Sequence, residues 1–89
     1  MIRKDIIDLF RVPAGETIVR QGDFGASIYF LLHGSAVLRL RRFDGHEMVL
    51  GVLGPGTTFG ELGLAGDRPR AATVTANADC ELLEVARDA

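Results

Sequence analysis

The stretch SIYFLLHGSAVLRLRRFDGHEMVLGVL, residues 27–53, decides the fold of this chain. It contains three runs rich in β-branched, aromatic and leucine residues, separated by His-Gly and by Phe-Asp-Gly-His. Asp44-Gly45 favours a hairpin because both residues tolerate left-handed turn conformations. The pattern predicts three consecutive strands, and we expect the first, the most apolar, to be buried on both faces. The predicted strands are Ser27–His33, Ser35–Arg42 and Glu47–Leu53.

The remainder of the chain follows the same pattern of short runs between turn residues. Eleven glycines and three prolines punctuate the 89 residues. Further strands are predicted at Glu16–Arg20, Ala72–Ala76 and Glu81–Ala86. Many short strands with frequent turns indicate an all-β domain. We therefore expect a jelly-roll-like β-roll, that is, a double-stranded β-helix.

The N-terminus carries a different pattern, with four apolar residues spaced as on one face of a helix. These are Ile2, Ile6, Leu9 and Phe10. Pro13 would stop the helix. The pattern predicts a short helix over Met1–Phe10 ahead of the β-roll.

Size and composition limit the function classes. A chain of 89 residues is one small domain, here residues 1–89. The net charge of −2 disfavours a nucleic-acid-binding surface. The single cysteine, Cys80, excludes an internal disulfide and fits a reducing, cytoplasmic setting. The sequence has no run of about 20 apolar residues, so no membrane-spanning helix is predicted. Asp5 and Asp8 interrupt the apolar core that a signal peptide would need.

The stretch FGELGLAGDRPRAATV, residues 59–74, carries the strongest functional signal. We expect a single helical turn near Gly60, whose free amides would attract a phosphate. Arg70 offers paired donors to phosphate oxygens, and the small Ala71 and Ala72 leave room and backbone N–H groups. Glu61 can accept a hydrogen bond from a hydroxyl. A sugar phosphate satisfies both charges, although a surface Glu61–Arg70 pair is the simpler alternative.

Other signals favour ordinary structural roles. His33 and His46, each beside a turn glycine, lack the clustering of a metal site, so no metal is predicted. Arg39 and Arg41 are expected on a solvated sheet face. Cys80 is expected to pack as a small apolar side chain. The sequence has no cluster of nucleophile, base and orienting group, so the protein is not predicted to be an enzyme.

The stretch at 59–74 resembles the phosphate-binding cassette of cyclic nucleotide-binding domains. The family includes the catabolite activator protein, the regulatory subunits of cyclic-AMP-dependent kinase and cyclic-nucleotide-gated channels. Three further segments resemble the β-roll of the same family. They are VPAGETIVRQGD, IYFLLHGSAVL and LGPGTTFGE.

The resemblance implies specific roles for the residues of the cassette. Arg70 would hold the cyclic phosphate, and Glu61 would accept from the ribose 2′-hydroxyl. The backbone amides of Leu62, Gly63 and Ala71 would line the phosphate pocket. Ala71 occupies the position at which threonine tends to accompany cyclic GMP, so the ligand is predicted to be cyclic AMP rather than cyclic GMP.

The remaining ligand-binding residues predicted from the sequence are two within the cassette and one on the preceding strand. Gly60 and Ala72 are assigned to the phosphate pocket, and Leu53 is a candidate for apolar contact with the purine. No cofactor besides the ligand is predicted.

One departure from the family is visible. The family's helices follow the β-roll and one covers the base, whereas this chain stops at ELLEVARDA. Three alternatives follow: a partner chain supplies the lid, the chain is a fragment and a further segment supplies it, or the purine stays partly exposed and binding is weak. A homodimer is a separate expectation. The predicted function is a cyclic-nucleotide-sensing regulatory module. The alternatives are a β-roll interaction domain that binds no nucleotide, and the sensor fragment of a transcription factor, channel or transporter.

Overall fold

The computed structural model describes residues 7–25, 27–60 and 69–86, which form eight strands in two antiparallel four-stranded sheets. One sheet has the order β1-β8-β3-β6 and the other has the order β2-β7-β4-β5. No helix occurs within those ranges. The strands are β1 (Ile7–Val12), β2 (Thr17–Val19), β3 (Ser27–His33), β4 (Ala36–Arg41), β5 (Glu47–Leu53), β6 (Thr58–Phe59), β7 (Thr73–Ala76) and β8 (Cys80–Ala86).

The core lies between the two sheets. Leu31 of β3 and Leu82 of β8 are direct cross-strand partners, and both side chains are fully buried. Val74 of β7 contributes from the other sheet. Period-two alternation places Val74 and Ala76 of β7, and Cys80 and Leu82 of β8, in the core. The other buried apolar residues are Val12, Val19, Ala36 and Phe59.

The predicted all-β roll is confirmed, and two of the predicted strands, β3 and β5, have the predicted bounds. The other four predicted strands differ by one residue at one or both ends. The sequence analysis missed β6, because two residues are too short for a periodic signal.

The predicted N-terminal helix is wrong at residues 7–10, which belong to β1. Leu9 pairs with Leu83 and Phe10 pairs with Leu82 in β8. The apolar spacing is that of a helix, but a short isolated helix is only marginally stable, and β8 offers backbone partners along the whole of β1. Residues 1–6 of the predicted helix lie outside the described ranges.

The expectation that β3 is buried on both faces is also wrong. Leu31 is 0% exposed, whereas Phe30 and Leu32 are 37% and 38% exposed. The second face of this sheet is therefore open to solvent along β3, and β3 alternates like any other strand of a two-layer fold.

The predicted hairpin turn between β4 and β5 is confirmed. The Arg42 N–H donates to the His46 carbonyl at 2.8 Å. Asp44 tightens the turn, because its Oδ1 accepts from the His46 N–H at 3.0 Å and its Oδ2 lies 3.1 Å from His46 Nδ1. These hydrogen bonds lower the pKa of the Asp44 carboxyl.

Candidate functional site

Arg70 is the one charged residue that is buried within the described ranges, with 7% of its surface exposed. Its Nη1 donates to the carbonyl of Ser27 at 3.1 Å and to the carbonyl of Gly60 at 3.0 Å. Ser27 begins β3 and Gly60 follows β6, so the guanidinium joins the ends of two adjacent strands.

Two glycines give the guanidinium its space. A Cβ added to Gly25 would lie 2.7 Å from Arg70 Nη2. A Cβ added to Gly60 would lie 2.8 Å from Arg70 Nη1 and 2.7 Å from the Ser27 carbonyl oxygen. Gly60 also has a φ of +96°, which side-chain-bearing residues rarely adopt. Glycine is therefore required at Gly60 for conformation and at Gly25 for space.

Tyr29 forms an aromatic wall beside Arg70. The Arg70 Cζ atom lies 5.9 Å from the centre of the Tyr29 ring, and that ring stacks on Phe59 at 5.3 Å. The Tyr29 hydroxyl donates to Glu84 Oε2 at 3.1 Å. Burial, then the negative charge of Glu84, raise the pKa of Tyr29, while the Arg70 charge acts in the opposite direction. Tyr29 is therefore held neutral over a wider pH range than a free tyrosine.

The charge of Arg70 has no ionic partner in the part of the chain that the structure describes. Its Nε and Nη2 donate to none of the described residues either. Removing an unpaired charge from water is unfavourable. An anion that accepts from Nε and Nη2 would offset this cost, and a phosphate has oxygens spaced for such a paired interaction.

A loop between β2 and β3 fixes the backbone of Arg70. The Arg70 N–H donates to the Asp23 carbonyl at 2.7 Å, and the Arg70 carbonyl accepts from the Gly22 N–H at 2.9 Å. Phe24 forms an isolated β-bridge with Pro69 in the same region. The position of Arg70 therefore depends on residues some 50 positions earlier in the chain, about half of its length.

The structure brings together Gly60 and Arg70, two of the residues predicted to bind the ligand. Ala71 is exposed and Ala72 is half-buried directly after Arg70. No hydrogen bond among the described residues uses the Ala71 amide. Glu61, Leu62 and Gly63, together with the helical turn predicted near Gly60, lie in 61–68, outside the described residues.

Leu53 lies in β5, two strands away from β7, which begins three residues after Arg70. It is half-buried against the core and pairs with Ala36, which in turn pairs with Ala76. Ala76 is three residues along β7 from Thr73, the end nearer Arg70. Three residues at about 3.3 Å each along β7 and two strand spacings of about 4.8 Å separate Thr73 from Leu53, so one ligand that contacts Leu53 and Arg70 must extend across the sheet.

Sequence reasoning missed three participants of the Arg70 environment. Gly25 lies between the predicted strands Glu16–Arg20 and Ser27–His33, where nothing in the sequence indicates its contact with the guanidinium. Tyr29 lies in a predicted strand. It is the only tyrosine in the sequence, and no other signal distinguished it as a site residue. Ser27 takes part through its carbonyl oxygen, which every residue type provides, so no sequence signal could have identified it.

The other residues considered in the sequence analysis have local partners. Glu47 lies 3.9 Å from Arg39 and 3.7 Å from Arg41 at a half-exposed surface. His33 lies 3.6 Å from Glu81. Cys80 is buried, and its thiol donates to the Ser35 carbonyl at 3.1 Å. In the described ranges no three potential metal-ligating side chains come together, and no helix is long and apolar enough to cross a membrane.

The sequence profile and the individual relatives that match this chain agree on one family. The sequence profile described as cyclic nucleotide-binding domain matches residues 9–89. The chain is 37% identical over 79 residues to the cAMP-activated global transcriptional regulator Vfr of Pseudomonas aeruginosa, covering 84% of this chain and 37% of that protein. It is 37% identical over 84 residues to the cAMP-dependent protein kinase regulatory subunit of Emericella nidulans, covering 94% of this chain and 20% of that subunit.

Solved structures share the fold. The crystal structure of Thermus thermophilus catabolite activator protein superposes with a TM-score of 0.87 at 35% identity, over 93% of this chain and 39% of that one. The c-di-GMP-responsive regulator CLP of Xanthomonas campestris superposes with a TM-score of 0.82 at 29% identity, over 92% of this chain and 40% of that one. The chain therefore spans well under half the length of each of these relatives.

Proposed function

This chain belongs to the cyclic nucleotide-binding domain family, and we propose that it is a regulatory sensor module that binds cyclic AMP, with Arg70 as the ligand of the cyclic phosphate. The observation that carries the proposal is the buried guanidinium of Arg70, which has no carboxylate partner among the described residues. A phosphodiester supplies one negative charge and two free oxygens at that position.

The surrounding residues have complementary roles in the proposal. Gly25 and Gly60 leave the guanidinium uncrowded. The Ala71 amide, which bonds to no described residue, donates a second hydrogen bond to the phosphate, with Ala72 beside it. Gly60 and the amides of Leu62 and Gly63 complete the phosphate pocket.

The sugar and base of the ligand need further contacts. Glu61 accepts from the ribose 2′-hydroxyl in the proposal. Leu53, two strands across the sheet from β7, contacts the purine in the proposal. That separation suits a nucleoside whose base extends away from its phosphate.

The signal output is proposed to lie beyond these residues. The chain corresponds to 37% of the Pseudomonas transcriptional regulator and 20% of the fungal kinase subunit. We therefore propose that it is the sensor portion of a larger regulator or a partner of one.

A second ligand class has a specific observation in its favour. The Xanthomonas regulator, 29% identical to this chain, is responsive to c-di-GMP, and a Trypanosoma brucei kinase regulatory subunit, 27% identical, is described as cAMP-independent. Both superpose over 92% of this chain. The β-roll therefore does not by itself select cyclic AMP.

Isothermal titration calorimetry tests both candidates. The purified chain is titrated separately with cyclic AMP, cyclic GMP, c-di-GMP and 5′-AMP. Saturable binding of cyclic AMP, tighter than that of the other three, is the expected result. Tighter binding of c-di-GMP would replace the ligand but keep the phosphate role of Arg70. Absence of binding by all four would overturn the proposal and favour an interaction domain.

A further inference from the structure

The pairing of β4 with β7 ends abruptly beside Arg70. Arg39 of β4 pairs with Thr73, the first residue of β7. Continuing the antiparallel register by two residues would place Ala71 opposite Arg41. The chain leaves the sheet instead, so Ala71 is exposed and Arg41 is left without a strand partner on that side.

The side chain of Gln21 occupies the position that a strand residue would have taken. The Arg41 N–H donates to Gln21 Oε1 at 2.7 Å, and Gln21 Nε2 donates to the Arg41 carbonyl at 3.0 Å. A primary amide presents one acceptor and one donor, as a peptide group does. The Gln21 backbone N–H also donates to Thr73 Oγ1 at 2.9 Å, so the residue is attached to both β4 and β7.

Gln21 begins the loop that holds Arg70. Gly22 and Asp23 bond to the backbone of Arg70 at 2.9 Å and 2.7 Å. Gly25 lies against its guanidinium. Gly22, Asp23 and Gly25, all within four residues after Gln21, therefore connect Gln21 to both the backbone and the side chain of Arg70.

We propose that Gln21 is a positioning residue for Arg70. By satisfying the Arg41 backbone with its own amide, Gln21 keeps Ala71 out of the sheet and holds the 21–25 loop where it fixes the guanidinium. The functional part of this inference rests on the proposed role of Arg70 as a phosphate ligand. The geometric part does not.

The proposal is tested in two arms, one with ligand and one without. The affinity arm measures the binding of cyclic AMP to Gln21→Leu and to the parent by calorimetry. Leucine has similar size but neither hydrogen-bonding group. Loss of a hydrogen-bonded pair predicts affinity about three- to tenfold lower. The matched control is Asp79→Ala, which removes another side-chain acceptor for a loop amide, that of Ala14 at 2.9 Å, and leaves the Arg70 loop intact. Its affinity is expected to equal that of the parent.

A double-mutant cycle separates positioning from general destabilisation. Gln21→Leu is measured again in an Arg70→Lys background, where the guanidinium that the loop positions is absent. If Gln21 acts through Arg70, the second measurement shows less than about a twofold further loss. An equal loss in both backgrounds would overturn the inference, because the effect would then not pass through Arg70.

The ligand-free arm uses amide hydrogen exchange and does not require binding. Gln21→Leu is expected to speed exchange of the Arg70 and Gly22 amides at least about threefold, while the Leu31 amide, bonded to the Thr57 carbonyl, keeps its rate. Unchanged exchange at Arg70 and Gly22 would overturn the inference. If the parent binds no nucleotide, the proposed function fails, and this arm alone decides whether Gln21 positions Arg70.

Gln21→Glu supplies a rescue test. The ionised carboxylate accepts from the Arg41 N–H but cannot donate to the Arg41 carbonyl, whereas the protonated acid can do both. The affinity of Gln21→Glu relative to that of the parent is therefore expected to recover as the pH falls from 7.5 to about 4.5, toward the ordinary range of a glutamate. A constant ratio over that range would contradict the two-bond role.

Discussion

Arg70 Nη1 lies 3.0 Å from the carbonyl oxygen of Gly60, ten positions earlier in the chain. The same nitrogen lies 3.1 Å from the carbonyl of Ser27, 43 positions earlier. The guanidinium therefore reaches its buried position by using backbone oxygens of two strand ends. Its remaining donors make no bond to another described residue, which is the arrangement expected of an anion-binding arginine.

Replacing Arg70 with alanine is expected to weaken binding of cyclic AMP by about ten- to a hundredfold. A hydrogen bond to a charged group contributes roughly 1.5–3 kcal/mol, and 1.4 kcal/mol corresponds to a factor of ten. Calorimetry of the parent and Arg70→Ala measures the difference, with circular dichroism to verify the fold. Arg70→Lys, which keeps the charge but not the paired donors, should fall between them. Equal affinity of Arg70→Ala and the parent would refute the phosphate role.

Gly25→Ala is expected to weaken binding several-fold, by about three- to tenfold. The added Cβ would lie 2.7 Å from Arg70 Nη2, so the guanidinium must shift. Gly25 has no left-handed φ, and the substitution therefore tests space rather than backbone strain. Gly54→Ala is the matched control, because its Cβ meets nothing within 4 Å and its φ is also ordinary. Comparable losses in both variants would show that crowding of Arg70 is not the cause.

Ala71→Thr is expected to raise the affinity for cyclic GMP relative to that for cyclic AMP. The threonine hydroxyl can accept from the guanine amino group, and the exposed position of Ala71 leaves room for it. Competition titrations of the two nucleotides measure the ratio. Ala71→Val, which has the same shape without the hydroxyl, should leave the ratio unchanged. A threonine variant that behaves like the valine variant would count against Ala71 as a residue that sets base preference.

Tyr29 predicts a specific dependence of stability on alkaline pH. Because its pKa in the folded protein is raised above 10.0, the unfolded chain loses the Tyr29 proton first as the pH rises. The stabilising contribution is therefore complete below about pH 10 and is lost as the pH rises through the raised pKa. Urea unfolding at a series of pH values should show a steeper alkaline decline for the parent than for Tyr29→Phe. Identical slopes would show that the hydroxyl is not held neutral.

Core truncation should distinguish the two faces of the β1-β8-β3-β6 sheet. Leu31→Ala removes a fully buried side chain and is expected to lower the free energy of unfolding by about 2–5 kcal/mol. Leu9→Ala, at a 62% exposed position of the same sheet, should cost less than about 1 kcal/mol. Urea denaturation measures both values. Similar costs would mean that an unrecognised partner covers the Leu9 face.

The strands were predictable where turn residues bound a run with one clear periodicity. Ser27–His33 and Glu47–Leu53 agree with β3 and β5 at both ends, and His-Gly and Gly-Pro-Gly mark where the two runs stop. The prediction failed at Ile7–Phe10, because Ile2, Ile6, Leu9 and Phe10 have the spacing of a helix whereas residues 7–10 form part of a strand. Pairing with β8 decided between the two, and that strand is some 70 residues away in sequence.

The sequence by itself determined the all-β class, the principal turns and the choice of Arg70 as a candidate phosphate ligand. These features depend on local conformational preferences and on side-chain chemistry, which the residue types carry with them. Only the tertiary structure decided that Gly25, Tyr29 and the Ser27 carbonyl surround the guanidinium, and that Gln21 replaces a strand partner opposite Arg41. Such contacts depend on sheet register, which aligns residues far apart in the chain and leaves no mark on their local sequence.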